Sequence, residues 1–342
     1  MIKTVVEYLS KTPDELIANA KVSGDDSYDL IASKANALYQ IQHSKCSVAQ
    51  SHNGSIKLAA WNAERLKFIN NSYSILSYHS PDIILLSEID IGMARSGNKD
   101  TIRELASMMG MEYIYGVEFI ELGHGDKLET LEFGDYKNDV GYHGNAIMSR
   151  IGLKDPFMLR LDDGAVWFGS NAALDQNRLG GRMAVGASIR WNNQNVWIIS
   201  VHLESKTDAG NRRFQIDRLL MYLNKHIGDA PCVIGGDLNT NTNCEKQIIL
   251  NKNDNFIIGE TETMFYSFKR NGFEWANSNT LETTQRSRPD GNPKPPFSKL
   301  DWILVRGLDA SEPQTVAAID DNGEAISDHE IIMCKVEYRA TR

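Results

Sequence analysis

The sequence predicts a layered α/β domain, and two observations carry that prediction. From Ile56 onward, short apolar runs alternate with longer amphipathic stretches, and strands interleaved with helices stack as layers. Several of the short runs are apolar throughout, as expected of strands covered on both faces. At 342 residues the chain can bury a sizeable core, as one large domain or two ordinary ones.

Taken in chain order, residues 1–54 read differently from the rest. TPDELIANA, from Thr12, carries a helix-start pattern: Thr12 as N-cap, Pro13 at the first helical position, and Glu15 three residues after the cap. SYDLIASKANALYQIQ, from Ser27, keeps apolar residues at helical spacing. SVAQSHNGS, Ser47 to Ser55, reads as a polar linker. Residues 1–54 are therefore expected to form a helical appendage and linker, ahead of a main domain over 55–342.

The strands expected in that domain begin with IKLAAW from Ile56, DIILLSE from Asp82, GNAIMS from Gly144 and MAVGASI from Met183. VWIISVHL from Val196, PCVIGGD from Pro231, LDWILV from Leu300 and IIMCKVEY from Ile331 complete the set. DTIRELASMMG from Asp100 and RRFQIDRLLMYLNKH from Arg212 are expected helices. Two stretches read as long surface loops: the acidic ELGHGDKLETLEFGDYKND (121–139) and RSRPDGNPKPPFSK (286–299).

Composition limits the function classes. A 42% hydrophobic and 24% charged chain is an ordinary soluble globular protein. The formal charge of -9 argues against a surface that grips duplex DNA throughout, because such binding needs Lys and Arg to displace counterions. A local basic patch remains compatible with it. Cys46, Cys232, Cys244 and Cys334 are scattered without a CxxC pair, so neither a disulfide frame nor a zinc site is expected. The charged start MIKTVVEYLSKTPDEL does not read as a signal peptide. No apolar run approaches the ~20 residues of a membrane span. A cytoplasmic location follows as the expectation.

Polar residues of one chemical kind recur where the expected strands end. Asn62 follows IKLAAW, Glu88 ends DIILLSE, and His202 lies near the end of VWIISVHL. Asp237 and Asn239 follow VIGG, Asp301 opens LDWILV, and Asp328 and His329 precede the last strand. In open α/β sheets, binding groups gather at strand ends. Carboxylates and amides, with few imidazoles and no thiols, suit a hard cation such as Mg²⁺ or Mn²⁺. That set matches phosphoester hydrolysis, where an ion neutralises phosphate, a carboxylate aligns water, and imidazoles or amides hold developing charge.

The motifs WNAER (61–65), DIILLSEID (82–90), HGNAIMSR (143–150), SVHLES (200–205), GGDLN (235–239), LDWI (300–303) and SDHE (327–330) resemble, in order, those of the endonuclease/exonuclease/phosphatase superfamily. Each alone is a weak signal, since GGDLN by itself reads as a strand-to-loop turn. The ordered set, spanning Ile56 to Tyr338, is specific.

This resemblance implies a DNase I-like four-layered α/β sandwich, two mixed sheets flanked by helices. It implies Glu88 as the central metal ligand, with Asn62 and Asp328 close to the ion. Asp237 would orient and deprotonate the attacking water, and Asn239 would bind a phosphate oxygen. His329, positioned by Asp301, would contact the phosphate, while His202 would stabilise the transition state or aid the leaving group. Asn145 of HGNAIMSR and Arg182 are the expected substrate contacts, with Arg178 a further source of positive charge. Gly235 and Gly236 would let the backbone turn tightly before Asp237. Arg95 sits on a loop just after Glu88, for which contact with the site is the minority reading.

The expected partner is a compact phosphate ester. Nucleic acid is not favoured, because no basic track or stacking aromatics stand out. An inactive binding scaffold is the reading of another class, and the intact set argues against it.

Overall fold

The computed structural model describes residues 1–171, 176–240, 261–286 and 298–339. Strand β1 (Val5–Val6), helices α1 (Asp14–Val22) and α2 (Tyr28–Ala32), and strand β2 (Ile41–Ser44) open the chain. Then come β3 (Ile56–Arg65), α3 (Ile69–His79), β4 (Ile83–Ile91), α4 (Thr101–Met109), β5 (Glu112–Glu121), α5 (Lys127–Phe133) and β6 (Tyr142–Ser149). The middle holds β7 (Lys154–Arg160), β8 (Arg178–Gly180), β9 (Met183–Trp191), β10 (Gln194–His202), α6 (Ala209–Ile227) and β11 (Cys232–Asp237). Helix α7 (Met264–Arg270) and strands β12 (Asp301–Arg306), β13 (Leu308–Val316) and β14 (Ile331–Tyr338) complete the described elements.

Two mixed sheets face each other. One runs β1-β2-β5-β6-β4-β3-β14-β13, with β8 on β5; the other runs β12-β11-β10-β9-β7. Parallel pairs, β3 with β4 and β10 with β11, sit among antiparallel neighbours. Alternation along the strands explains why these runs are apolar throughout. Leu58, Ala60, Ile83 and Leu85 point between the sheets, where they meet Val185, Ile198, Val233 and Ile303. Ala59, Trp61, Ile84 and Leu86 point outward, onto Leu76 of α3 and Leu105 of α4. The outer face of the second sheet packs on Leu219 and Leu223 of α6 and Phe265 and Phe268 of α7. The result is the expected four-layered α/β sandwich. Each fully buried Leu, Ile or Phe in these layers contributes roughly 1.5–3 kcal/mol.

Both expected helices are present, and their caps fix their ends. Asp100 accepts from Arg103 N at 3.1 Å, and Gly110 closes α4 in the left-handed region at φ 62°. Asp208 accepts from Asn211 N at 2.8 Å, so α6 starts at Ala209, ahead of Arg212.

The N-terminal stretch departs from the expected helical appendage. Strand β2, the end of the apparent helical pattern, pairs antiparallel with β5, and β1 pairs with β2. Thr12 does not cap α1. Its backbone N–H donates to Tyr142 Oη at 2.9 Å and its hydroxyl lies 3.1 Å from the same oxygen, so Pro13 occupies the N-cap position. Tertiary contact with β6 has overridden the local signal.

The acidic 121–139 stretch is not a plain loop either. It contains α5, begun by a capping box in which Asp126 and Glu129 exchange backbone hydrogen bonds at 2.9 Å. Of the other expected loop, residues 287–297 lie outside the described residues, as does Cys244. Cys46, Cys232 and Cys334 are free thiols. No helix among the described residues is long and apolar enough to cross a membrane.

Candidate active site

Strand register alone assembles half of the site. His202 is the cross-strand partner of Asp237, and Asp237 is the partner of Asp301, so three adjacent strands present these side chains in a row. The glycines before Asp237 do not turn the chain; β11 runs through them to Asp237. They permit close packing instead. A Cβ on Gly236, at φ 139°, would overlap the carbonyl oxygen of Val201, and one on Gly235 would fall 2.7 Å from Leu85 Cδ1. The chain turns later, at Asn239, whose φ is 50°.

Irregular backbone supplies the other half. The β3–β4 ladder shifts register between Asn62 and Arg65, and the β4–β6 ladder shifts between Leu86 and Ile89. These bulges place Glu64, Arg65, Leu66 and Glu88 at φ between 43° and 70°, a conformation costly for residues with a Cβ. The 327–329 turn is pinned to the same place. Ser327 Oγ donates to Asn62 O at 2.7 Å, Trp61 Nε1 donates to His329 O at 3.0 Å, and Asp328 N donates to Glu64 Oε2 at 2.9 Å.

Asp237 is the centre of the arrangement. Its Oδ2 accepts from Asn62 Nδ2 at 3.1 Å and lies 3.5 Å from His202 Nε2 and 3.8 Å from His329 Nε2. Its Oδ1 accepts from Asn239 N at 2.8 Å. Burial raises its carboxyl above the ordinary range, Asp301 adds to the rise, and His329 and His202 oppose it. His329 Nδ1 lies 2.8 Å from Asp301 Oδ2. Burial disfavours the charged ring of His329, but Asp301 and then Asp237 outweigh it and hold the imidazole well above its usual value.

Glu88 accepts from Asn62 Nδ2 at 3.1 Å and is ion-paired with Arg65. Burial raises its proton affinity, yet Arg65, His143 and His202 together hold it well below the usual carboxylate range. Asp328 goes the other way. Burial pushes it up to about 6, against the pull of His329, and Glu64 and Glu88 add to the rise. Glu64 and Glu88 thus each repel the charge of Asp328, and the Asn62 amide lies against Glu88. A hard divalent cation fits this donor chemistry. Asp237, Asp301 and His329 also offer ligand atoms within 4.8 Å of one another, although His329 Nδ1 is committed to Asp301.

The remaining expected residues sit further back. Asn239 donates from Nδ2 to Leu203 O at 2.8 Å. Asn145 is fully buried in β6, donates to Met183 O at 3.3 Å and leaves Oδ1 without a partner. Arg182 is buried behind His202. Its Nε lies 3.0 Å from Glu204 Oε2 and its Nη1 lies 3.1 Å from Glu118 Oε1. The same Nη1 is 3.0 Å from both ring nitrogens of His202, a position over the ring face instead of along either lone pair. Arg178 is ion-paired with Glu121 at 2.9 Å. Arg95 does not overhang the site: its side chain is 0% exposed and chelates Asp90 at 2.8 and 2.9 Å.

Sequence reasoning missed several members. Glu118, wholly buried in β5, places Oε2 3.3 Å from His202 Nδ1, an ion-pair distance too oblique for a formed hydrogen bond. Glu64, Arg65, Glu129 and Glu204 were missed as well. For Glu118 the available signal was the spacing of acids through EYIYGVEFIE, an otherwise apolar strand, and Glu64, Arg65 and Glu204 lay within WNAER and SVHLES.

A family model described as the Endonuclease/Exonuclease/phosphatase family matches residues 59–329. Among solved structures, an endonuclease/exonuclease/phosphatase from Beutenbergia cavernae is 13% identical, with a TM-score of 0.55, over 83% of this chain and 72% of that one. One from Bacteroides vulgatus is also 13% identical at TM-score 0.55, over 84% and 100% of the two chains. The human Nocturnin catalytic domain, solved with bound sulfate, is 17% identical at TM-score 0.55, over 83% and 94%. These similarities concern the fold. No curated protein matches the sequence.

Proposed function

Because the chain belongs to the endonuclease/exonuclease/phosphatase family, a family of hydrolases, we propose that it hydrolyses a compact phosphate ester by direct attack of water, with Mg²⁺ or Mn²⁺ bound at Glu88. Asn62 and Asp328 complete the proposed ion site. One observation carries the reading: Asp237 faces two imidazoles, and the Asn62 amide joins it to Glu88. A bound ion supplies Lewis-acid neutralisation of phosphate charge and a lowered pKa for its water.

The protein groups divide the remaining work. Asp237 takes a proton from the water as its oxygen bonds to phosphorus, and its raised proton affinity suits it to that role. The bond from phosphorus to the leaving oxygen then breaks, and that oxygen receives a proton from His202. Glu118 and Arg182 fix the orientation of the His202 ring. His329, kept cationic by Asp301, holds negative charge on the phosphate, and Asn239 binds a phosphate oxygen.

Electrostatics supports a compact substrate. Arg65, Arg95, Arg178 and Arg182 are each paired with acidic side chains, so their charge is balanced locally and forms no track for a long polyanion. The test is kcat/KM for aryl phosphodiester, aryl phosphomonoester, inositol phosphates, sphingomyelin, RNA and DNA, with Mg²⁺ and Mn²⁺ at two salt concentrations. A small or head-group ester should lead, with little salt dependence. If DNA leads at both salt levels and its binding falls steeply between them, the nuclease reading replaces this one.

A further inference from the structure

Among the described residues, the guanidinium bonded to Glu88 is held in place from both sides. Arg65 follows the bulge in β3, in a run of three consecutive left-handed residues at φ 43°, 70° and 55°. Such a run persists only where its surroundings impose it. Arg65 Nη1 is bonded to Glu88 Oε2, and its Nε lies 3.0 Å from Glu129 Oε1. That second contact has the distance of an ion pair but no aligned hydrogen bond, since Nε has no hydrogen-bond partner. The Arg65 side chain is only 13% exposed, so water screens these charges weakly.

Glu129 is a rigid second seat. Its Oε2 accepts from Arg95 Nη1 at 3.0 Å and from Asp126 N at 2.9 Å, and Arg95 is itself locked on Asp90. Gly125, at φ 121°, closes over this pair so tightly that a Cβ there would overlap Glu129 Oε2 and Arg95 Nη1. The acidic 121–139 stretch therefore turns a buried carboxylate toward Arg65. The capping box occupies Glu129 Oε2, and Oε1 is the oxygen that faces Arg65.

We propose that Arg65 is a tethered counter-cation that competes with the divalent ion for Glu88, and that Glu129 is the alternative seat that lets Arg65 withdraw. This rests on the reading of Glu88 as an ion ligand. It makes the 121–139 stretch a determinant of ion affinity, acting through Arg65 and not through contact with the ion. Glu129 is in this account a positioning residue.

Calorimetric titration with Mn²⁺ tests it on the full chain, without reference to turnover. Arg65→Met should tighten Mn²⁺ binding by about tenfold or more, by analogy with the effect of one neighbouring charge on a carboxylate's affinity for a proton. Glu129→Gln should weaken binding severalfold in the wild-type background and leave it unchanged when combined with Arg65→Met. Unchanged affinity in Arg65→Met overturns the proposal. So does a Glu129→Gln loss that persists in the double variant, since that is plain long-range electrostatics. If Arg65→Met fails to fold by circular dichroism, Arg65→Gln takes its place, alone and combined with Glu129→Gln, and is read in the same way. A wild-type chain that takes up no Mn²⁺ defeats the reading of Glu88 as a ligand, an outcome distinct from uptake that ignores Arg65.

Discussion

Asn62 donates through one amide nitrogen to both Asp237 and Glu88, at 3.1 Å each. The amide thereby couples the carboxylate proposed to accept a proton with the carboxylate proposed to hold the ion. These two acids come from different sheets, β11 and β4, so the contact also ties the sheets together at the site. Ser200 Oγ, donating to Leu86 O at 3.1 Å, makes a second such tie nearby.

Replacing Asp237 separates chemistry from binding. Asp237→Asn keeps the shape and an acceptor for Asn239 N but removes the group that takes the proton. We expect kcat to fall by about a hundredfold or more, with substrate affinity little changed. Steady-state kinetics on the best small ester, with a direct binding measurement, checks this. A kcat within about tenfold of wild type assigns the water to another group.

Asp301 and His329 should behave as one unit. Their 2.8 Å contact fixes the imidazole and sustains its charge. Asp301→Asn and His329→Ala are each expected to lower kcat/KM about a hundredfold, and the double variant little further. Fully multiplicative losses in this cycle show that the residues act independently.

Glu204 connects the site to acid stability. Burial raises its proton affinity, but Arg182, with Lys206 N and Trp167 Nε1, brings the carboxyl down to about 2. A carboxyl depressed on folding contributes stability that is complete above its unfolded value and is lost as pH falls through the folded one. Glu204→Gln should therefore cost about 3 kcal/mol at pH 7, shrinking as pH falls from about 4.5 toward 2. Urea denaturation of both proteins across that range measures it. A difference independent of pH removes the ion pair as its source.

Arg95 is structural in this account. Its buried guanidinium serves Asp90, Glu121 and Glu129 at 2.8 to 3.2 Å. Arg95→Met leaves three buried or half-buried acids short of a partner and should cost about 3–5 kcal/mol. Chemical denaturation reads the loss directly, and a change under about 1 kcal/mol shows that the acids find other partners.

Much of the fold and part of the site were legible in the sequence. All eight expected strands are strands, because runs covered on both faces carry a signal that depends on no distant partner. Asp237, His202 and Asp301 were legible because they mark strand ends, and register then brings them together. What was hidden depended on tertiary contact. Strand β2 continues a helical pattern and becomes a strand only through β5. Glu118 sits inside a buried strand, where an acid reads as an interruption until Arg182 and His202 supply its partners. Glu129 looks like one more charge in an acidic loop, and only the fold turns it toward Arg65 and Arg95.

The central claim is that Glu88 holds a divalent ion on which phosphoester hydrolysis depends. The most direct measurement is turnover of an aryl phosphate ester across a Mn²⁺ titration, by chelator-treated wild type and by Glu88→Gln. A neutral amide is a poorer ligand for a hard cation. The account predicts that wild-type activity is absent without the ion and rises to saturation. It predicts that Glu88→Gln needs far more Mn²⁺ and stays slower by orders of magnitude when saturated. Undiminished turnover by the chelated wild type, or a Glu88→Gln curve that overlays it, contradicts the claim.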